Sequence, residues 1–246
     1  IAQDTTYYGK DLYGERKLAE LLERLCRIEK IEWIRLHYAY PTDFPDEVIE
    51  VMAREKKICK YLDIPFQHIS DNQLTLMKRR HTKAEALALI NKLRAAIPDI
   101  ALRTTLLVGY PGETEEDFME LMEFVKTTKF DRLGVFAYSE EEGTYSATRL
   151  KDDVEDAVKQ ERVERIMRLQ ERVSLANNAR RIGQKMRAII DRREGDFYIG
   201  RSEYDSPEVD QEIIIDSAGK RLYRGRFYDV EVTDCEDYDL YARVLR

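Results

Sequence analysis

Lys60-Tyr-Leu-Asp-Ile-Pro-Phe-Gln-His-Ile-Ser-Asp-Asn-Gln-Leu-Thr-Leu-Met-Lys-Arg-Arg-His-Thr-Lys83 is the stretch from which the fold can be read. The apolar run Tyr61 to Ile64 reads as a buried strand stopped by Pro65, and Gln67, His68 and Ser70 follow at once. Polar side chains therefore stand at the carboxyl end of a strand, which is where α/β folds bind ligands. A helix is expected from Asp71, whose side chain can cap it, to Met77. It closes on Lys78, Arg79 and Arg80, whose charge suits a helix carboxyl end. Strand, polar elbow, capped helix and basic stop make one βα unit with a site at its top.

Outward from this unit, strand and helix patterns alternate through the first 150 or so residues, which predicts a parallel sheet with helices packed outside it. Ile1 to Gln3 pairs with a helix over Glu15 to Ile28, and Trp33 to Tyr38 with a helix over Pro45 to Glu55. A second helix follows the central unit from Lys83 to Ala96. Ala101 to Val108 leads to a helix over Thr114 to Thr127, and Arg132 to Tyr138 is the last strand. Leu87, Ile90, Leu93 and Ile97, and again Phe118, Leu121, Met122 and Val125, recur at helical spacing and are expected to face the sheet. A long polar helix from Asp152 to Arg181 ends near Gly183. Thereafter Lys185 to Arg193, Gly195 to Ser202, Val209 to Asp216, Arg226 to Thr233 and Tyr238 to Leu245 alternate as five short strands. They predict a small antiparallel barrel of the OB kind. The expected division is a partial α/β barrel over residues 1–182 and a β-barrel over 183–246.

Composition agrees with two domains: 246 residues, 43% hydrophobic and 36% charged, can bury substantial cores. The net charge of −7 gives no overall grip on nucleic acid. No apolar run reaches membrane-spanning length. Cys26, Cys59 and Cys235 are too far apart for a CxxC or CxxxCxxC motif, and three thiols in a chain of this size favour a reducing, cytoplasmic compartment. They read as packing residues, so no metal site is assigned. Ile1 falls inside an expected strand, which predicts a sequence lacking its beginning.

The second informative segment is Arg103-Thr-Thr-Leu-Leu-Val-Gly-Tyr-Pro-Gly-Glu-Thr-Glu-Glu-Asp-Phe118. Gly109 and Gly112 allow sharp turning or close approach, and Thr114 with Glu116 or Asp117 can start the next helix. Alone, a Gly-x-Pro-Gly loop is also an ordinary βα turn. With the first segment it supplies a second polar strand top on the same sheet.

Asp-Ile-Pro-Phe-Gln-His (63 to 68), Leu-Met-Lys-Arg (76 to 79) and Gly-Tyr-Pro-Gly-Glu-Thr-Glu-Glu-Asp-Phe (109 to 118) together resemble the radical S-adenosylmethionine methylthiotransferases. Ile-Ala-Gln-Asp-Thr-Thr-Tyr-Tyr-Gly (1 to 9) is similar to the second strand of their barrel and its loop, and the C-terminal strands resemble their TRAM domain. Tyr-Leu-Asp-Ile-Pro-Phe-Gln-His and Phe-Ala-Tyr-Ser-Glu-Glu-Glu-Gly-Thr (136 to 144) are similar to the branch that modifies an aspartate of small-subunit ribosomal protein twelve. The sister branch modifies tRNA.

The resemblance implies a partial radical-SAM barrel, S-adenosylmethionine as cofactor and two 4Fe-4S clusters in the full-length protein. One cluster would release a 5′-deoxyadenosyl radical from S-adenosylmethionine, and the second would present sulfur. Their cysteine ligands belong to an N-terminal domain and a CxxxCxxC loop that this sequence does not contain, so the chain alone is expected to be inactive, with no catalytic residue of its own. By family-like placement, Gln3 and Asp4 would meet the cofactor's amino group, Asp63 and Gln67 its ribose or methionine portion, and Arg103 its carboxylate. Gly109 and Tyr138 would line the adenine through backbone contacts, and His68 is open between a substrate contact and a satisfied structural histidine. His37 and His81 read as structural.

From Gly183 onward acidic residues outnumber basic ones, fifteen to eleven. An acidic barrel suits a basic ribosomal protein better than tRNA phosphates, although Arg221, Arg224 and Arg226 cluster. A different class remains open, an isomerase- or aldolase-like barrel enzyme with an attached binding module. Such an enzyme would carry a lysine, carboxylate pair or metal cluster at its strand tops, and none here is self-sufficient.

Overall fold

In the computed structural model, residues 4–245 are described; the expected strand Ile1 to Gln3, with Gln3 itself, lies outside them. The first domain is a sheet of four parallel strands in the order β1 (Ile34–Leu36), β2 (Ile58–Asp63), β3 (Ala101–Val108), β4 (Arg132–Ala137). Between them run α3 (Asp46–Arg54), then α4 (Asp71–Leu76) with α5 (Lys83–Ala96), and α6 (Glu115–Thr128). Before β1 lie a 3-10 turn (Thr5–Tyr7), α1 (Lys10–Tyr13) and α2 (Leu18–Cys26). Side chains two residues apart share a face of a strand. Leu62, Leu102, Leu106 and Val108 face the helices and join Leu93, Phe118, Leu121 and Val125 in one core. The other, concave face carries Arg35, His37, Tyr61, Asp63, Arg103 and Arg132.

The helix starts follow local chemistry. Thr82 with Glu85, and Thr114 with Asp117, form reciprocal capping boxes. Ser70, not Asp71, caps α4, accepting from the Gln73 N–H; Asp71 accepts instead from the Lys83 N–H at 2.7 Å and ties the two helices together. A short helix, α7 (Tyr145–Arg149), follows β4. The long helix α8 (Asp156–Ala179) starts later than expected, because Asp152 pairs with Lys159 at 2.6 Å and Asp153 accepts from Gly112 N–H at 2.8 Å.

The second domain is a closed five-stranded barrel: β5 (Lys185–Glu194), β6 (Phe197–Arg201), β7 (Ile213–Asp216), β9 (Leu240–Val244), β8 (Phe227–Cys235) and back to β5. One pair, β7 with β9, is parallel where an antiparallel barrel was expected. Ala188, Ile190, Ile213, Ile215, Val230, Val232 and Leu240 fill its interior. A Cβ at Gly200 would run into the Ile189 carbonyl oxygen, so a strand crosses there at a distance only glycine allows.

The strand expected from Val209 begins only at Ile213. The residues before it belong to a β6–β7 connection that leaves the barrel and enters the concave face of the sheet. Tyr204 packs with Cys59, Tyr61, Ala101 and Trp33. Arg132 donates to Asp205 at 2.5 Å, both side chains being buried. Arg35 donates to the carbonyls of Ser202 and Glu203 at 3.0 and 3.1 Å.

Candidate functional site

Asp63 and Arg103 are register partners on adjacent strands, so their side chains rise side by side from the concave face. Arg103 Nη1 donates to Asp63 Oδ1 at 3.0 Å, and Arg103 Nε lies 3.4 Å from Asp210 Oδ1 on the inserted connection. Burial by itself would lower the guanidinium pKa, but Asp63, Tyr61 and Asp210 together hold it above its ordinary value. Burial pushes the Asp210 carboxyl up, although Ser206 N–H, Arg132 and Arg103 pull against it. The Tyr61 hydroxyl sits beside Asp210 without a complete hydrogen bond, and its pKa is raised, first by burial and then by that carboxylate.

Above this pair, Gln67 holds a left-handed φ of +69° while its N–H donates to Thr105 and its C=O accepts from Leu107, at 2.9 and 2.8 Å. A non-glycine residue in that conformation costs roughly 1–3 kcal/mol, which the two backbone hydrogen bonds to β3 offset. Gly109, at the top of β3, has φ +71°, and a Cβ there would overlap Lys159 Cγ. Tyr138 is tied to the same strand end, its N–H donating to Val108 C=O at 2.8 Å. Its ring meets Tyr110 edge-on at 5.1 Å, and its buried hydroxyl has no partner among the described residues. Gln67, Gly109 and Tyr138 thus line neighbouring strand tops, whereas Asp63 and Arg103 pair lower on the sheet: Arg103 is the third residue of β3 and lies in register with Arg132, the first of β4.

Two expected residues play other parts. His68 is fully buried; its Nδ1 accepts from Ser70 N–H at 3.0 Å and its Nε2 lies 3.3 Å from Glu113. Glu113 also accepts from the Gly109 N–H and pairs with Arg162 at 3.0 Å. His68 is therefore a brace between two strand-top loops and offers no nitrogen to a substrate. Asp4 caps the first turn, one oxygen taking Thr6 N–H at 2.9 Å, Thr6 Oγ at 2.7 Å and Tyr40 N–H at 3.3 Å. Glu113 was visible in the quoted Gly-Tyr-Pro-Gly-Glu. Asp210 carried no signal, because its partner lies in the other domain.

Iron–sulfur ligation needs thiolates. Burial pushes the Cys59 thiol up to about 11 and raises those of Cys26 and Cys235, and among the described residues no three His, Cys, Asp or Glu side chains gather as a metal site. The described residues do not fit a cluster. The Arg103 guanidinium hydrogen-bonds Asp63 through Nη1 and lies 3.4 Å from Asp210 at Nε, and its Nη2 is 4.0 Å from where a Cβ at Gly134 would stand.

Sheet, strand-top polar groups and appended barrel define a class. The chain belongs to the radical SAM superfamily, whose profile matches residues 3–125, and residues 182–245 match the TRAM domain. It is 55% identical over 245 residues to the ribosomal protein uS12 methylthiotransferase RimO of Bacteroides thetaiotaomicron, a match taking 100% of this chain and 56% of the relative. It is 54% identical over 246 residues to the protein of the same name from Porphyromonas gingivalis, covering 100% and 57%. The chain thus spans little more than half the length of the curated relatives it matches. Among solved structures, coproporphyrinogen III oxidase (HemN) of Escherichia coli, a radical SAM enzyme, superposes with a TM-score of 0.50 at 17% identity, covering 75% of this chain and 51% of that one. That likeness concerns the fold alone. Among the described residues no helix is long and apolar enough to cross a membrane.

Proposed function

We propose that this chain is the C-terminal part of a radical S-adenosylmethionine methylthiotransferase that adds a methylthio group to the β-carbon of an aspartate in ribosomal protein uS12. The observation that carries this reading is the identity of 52–55% to proteins named for that activity across nearly the whole chain. In that reading S-adenosylmethionine, held beside a cluster that other parts of the protein ligate, is the radical source. This chain's share is binding and exclusion. Arg103 would take the cofactor carboxylate, with Asp63 hydrogen-bonded to its Nη1. Gln67 would reach the ribose or methionine portion from its left-handed elbow. Gly109 and Tyr138 would present backbone to the adenine, Gly109 through its carbonyl since Glu113 takes its N–H. The unpartnered Tyr138 hydroxyl is a spare donor at the same edge. With no thiolate set, residues 1–246 alone are expected to form no product.

The acidic barrel is a weaker docking argument than its charge count suggests. Glu203 accepts from Lys60 N–H at 3.0 Å, Asp205 pairs with Arg132, and Asp210 faces Arg103. Three of the acids face the sheet and are not offered to a partner.

The test is to reconstitute the full-length protein anaerobically with iron and sulfide, then supply S-adenosylmethionine, reductant and either uS12 or tRNA. A methylthio mass gain on an aspartate peptide supports the reading. The same gain on an adenosine transfers the chain to the tRNA-modifying branch.

A further inference from the structure

Helix α8 lies between the two matched families, since the radical SAM profile covers residues 3–125 and the TRAM domain 182–245. Its first turns nevertheless close over the top of β3. Lys159 and Arg162, three residues apart and so on one face of the helix, are both buried. The Lys159 stem fills the space where a Cβ at Gly109 would stand. Arg162 Nη1 lies 3.0 Å from Glu113 Oε2 and donates to the Glu113 carbonyl at 3.3 Å, so it holds that residue by side chain and backbone together.

Glu113 is the node of this corner. Its carboxylate is fully buried and both oxygens are in use: Oε2 takes the Gly109 N–H as well as Arg162, and Oε1 faces His68 Nε2 at 3.3 Å. His68 Nδ1 accepts from Ser70 N–H, so the ring's hydrogen is on Nε2 and points at Glu113. Donors from the β2 top, the β3 top and α8 thus meet on one carboxylate, and of the three only Arg162 brings a charge.

We propose that Arg162 is a positioning residue for the cofactor site at the strand tops, acting through Glu113 on Gly109 and on the loop that follows the Gln67 elbow. A buried carboxylate that loses its cation is strongly destabilised, so without Arg162 Glu113 cannot stay on the Gly109 N–H. Held at that N–H and at a φ of +71°, Gly109 keeps its carbonyl for the ligand. His68 follows Gln67 directly, so the same carboxylate sets the spacing of the Gln67 and Gly109 backbones. Docking of α8 does not require the ion pair, because Ile166, with Val163 and Leu169, already packs the helix into the core, and apolar contacts serve that purpose at least as well. The inference rests on the reading in which Gly109 borders the adenine.

The test reads equilibrium binding of S-adenosylmethionine to the full-length, cluster-loaded protein, with turnover and thermal melting beside it. Arg162→Met is expected to raise the dissociation constant and KM about tenfold while kcat changes little. Arg162→Lys, which keeps a charge for Glu113, should recover part of the loss. Asp205→Asn, which weakens the buried pair with Arg132 at the amino end of the sheet, should melt earlier and bind as the parent does. If Arg162→Met does not fold, Glu113→Gln in the same chain removes the stranded charge. That double variant should still bind about tenfold more weakly, because an amide offers one acceptor to the Gly109 and His68 donors. Parent-like binding in the folded Arg162 variant, with Gly109→Ala weakened, overturns the inference and leaves the functional reading intact. Equal weakening in Asp205→Asn also overturns it, since binding would then follow overall stability. Parent-like binding in Gly109→Ala removes the reading of Gly109, and the inference with it.

Discussion

Lowering the pH should destabilise this protein through His81. The ring is 4% exposed, packs against Tyr40 and Phe66 at 6.2 and 6.1 Å, and has no hydrogen-bond partner at either nitrogen among the described residues. Burial first, and the Arg79 charge second, lower its pKa from 6.5 to about 4. A histidine with a depressed pKa is neutral in the fold and takes up a proton more readily when unfolded. Its contribution is therefore intact above about pH 6.5 and is lost as the pH falls towards 4. At 1.36 kcal/mol per unit, this window corresponds to about 3 kcal/mol, a large part of the 5–15 kcal/mol typical of a domain. The assay is urea unfolding at intervals between pH 7 and pH 4, on the parent and on His81→Phe, which keeps an aromatic ring in the site and removes the titration. Carboxylates titrate in both proteins, so the difference between the two curves isolates His81. The parent should lose about 3 kcal/mol more than the variant across that range. Parallel curves would refute the reasoning and mean that the ring is solvated or paired in the native state.

Two further perturbations test other contacts. Asp205→Ala leaves the Arg132 charge buried without its partner and should reduce stability by about 3–5 kcal/mol, read by urea unfolding, with Arg132→Met in the same background recovering much of the loss. Gly109→Ala must hold a left-handed φ and displace Lys159, which should lower stability by at least about 1 kcal/mol. It should also weaken S-adenosylmethionine binding in the full-length protein, because Gly109, Glu113 and His68 form one braced unit.

The sheet was legible because its signals are local: strand runs such as Ala101–Val108 and capping residues such as Thr114 lie within a few positions of what they determine. The Asp63 and Arg103 pairing was not legible, because it depends on the register of β2 against β3, which sets residue 63 beside residue 103. The β6–β7 connection was not legible. Val209 stands close enough to the apolar run at Ile213 to read as the start of the same strand, and only contacts with Arg103 and Arg132, far back in sequence, draw the intervening segment away. The charge count failed for the same reason, since it treats Glu203, Asp205 and Asp210 as surface. His68 remained open in the sequence between substrate contact and brace, and Glu113 on the other side of the site decides it.

The register between β1 and β2 slips, so that two residues from Ile34 to Leu36 span four from Ile58 to Leu62. The Lys60 N–H in that gap is satisfied by Glu203, 143 positions later. Contacts of such separation form late, because closing the intervening loop must precede them. On a ribosome the sheet would emerge and pack its helices long before Glu203 exists, with its concave face open. Completion of the sheet's hydrogen bonding therefore waits for the second domain's connection to be made and docked. A pulse-labelled hydrogen-exchange experiment should find the Lys60 amide protected after its neighbours in β2, and at the same rate as the barrel strands.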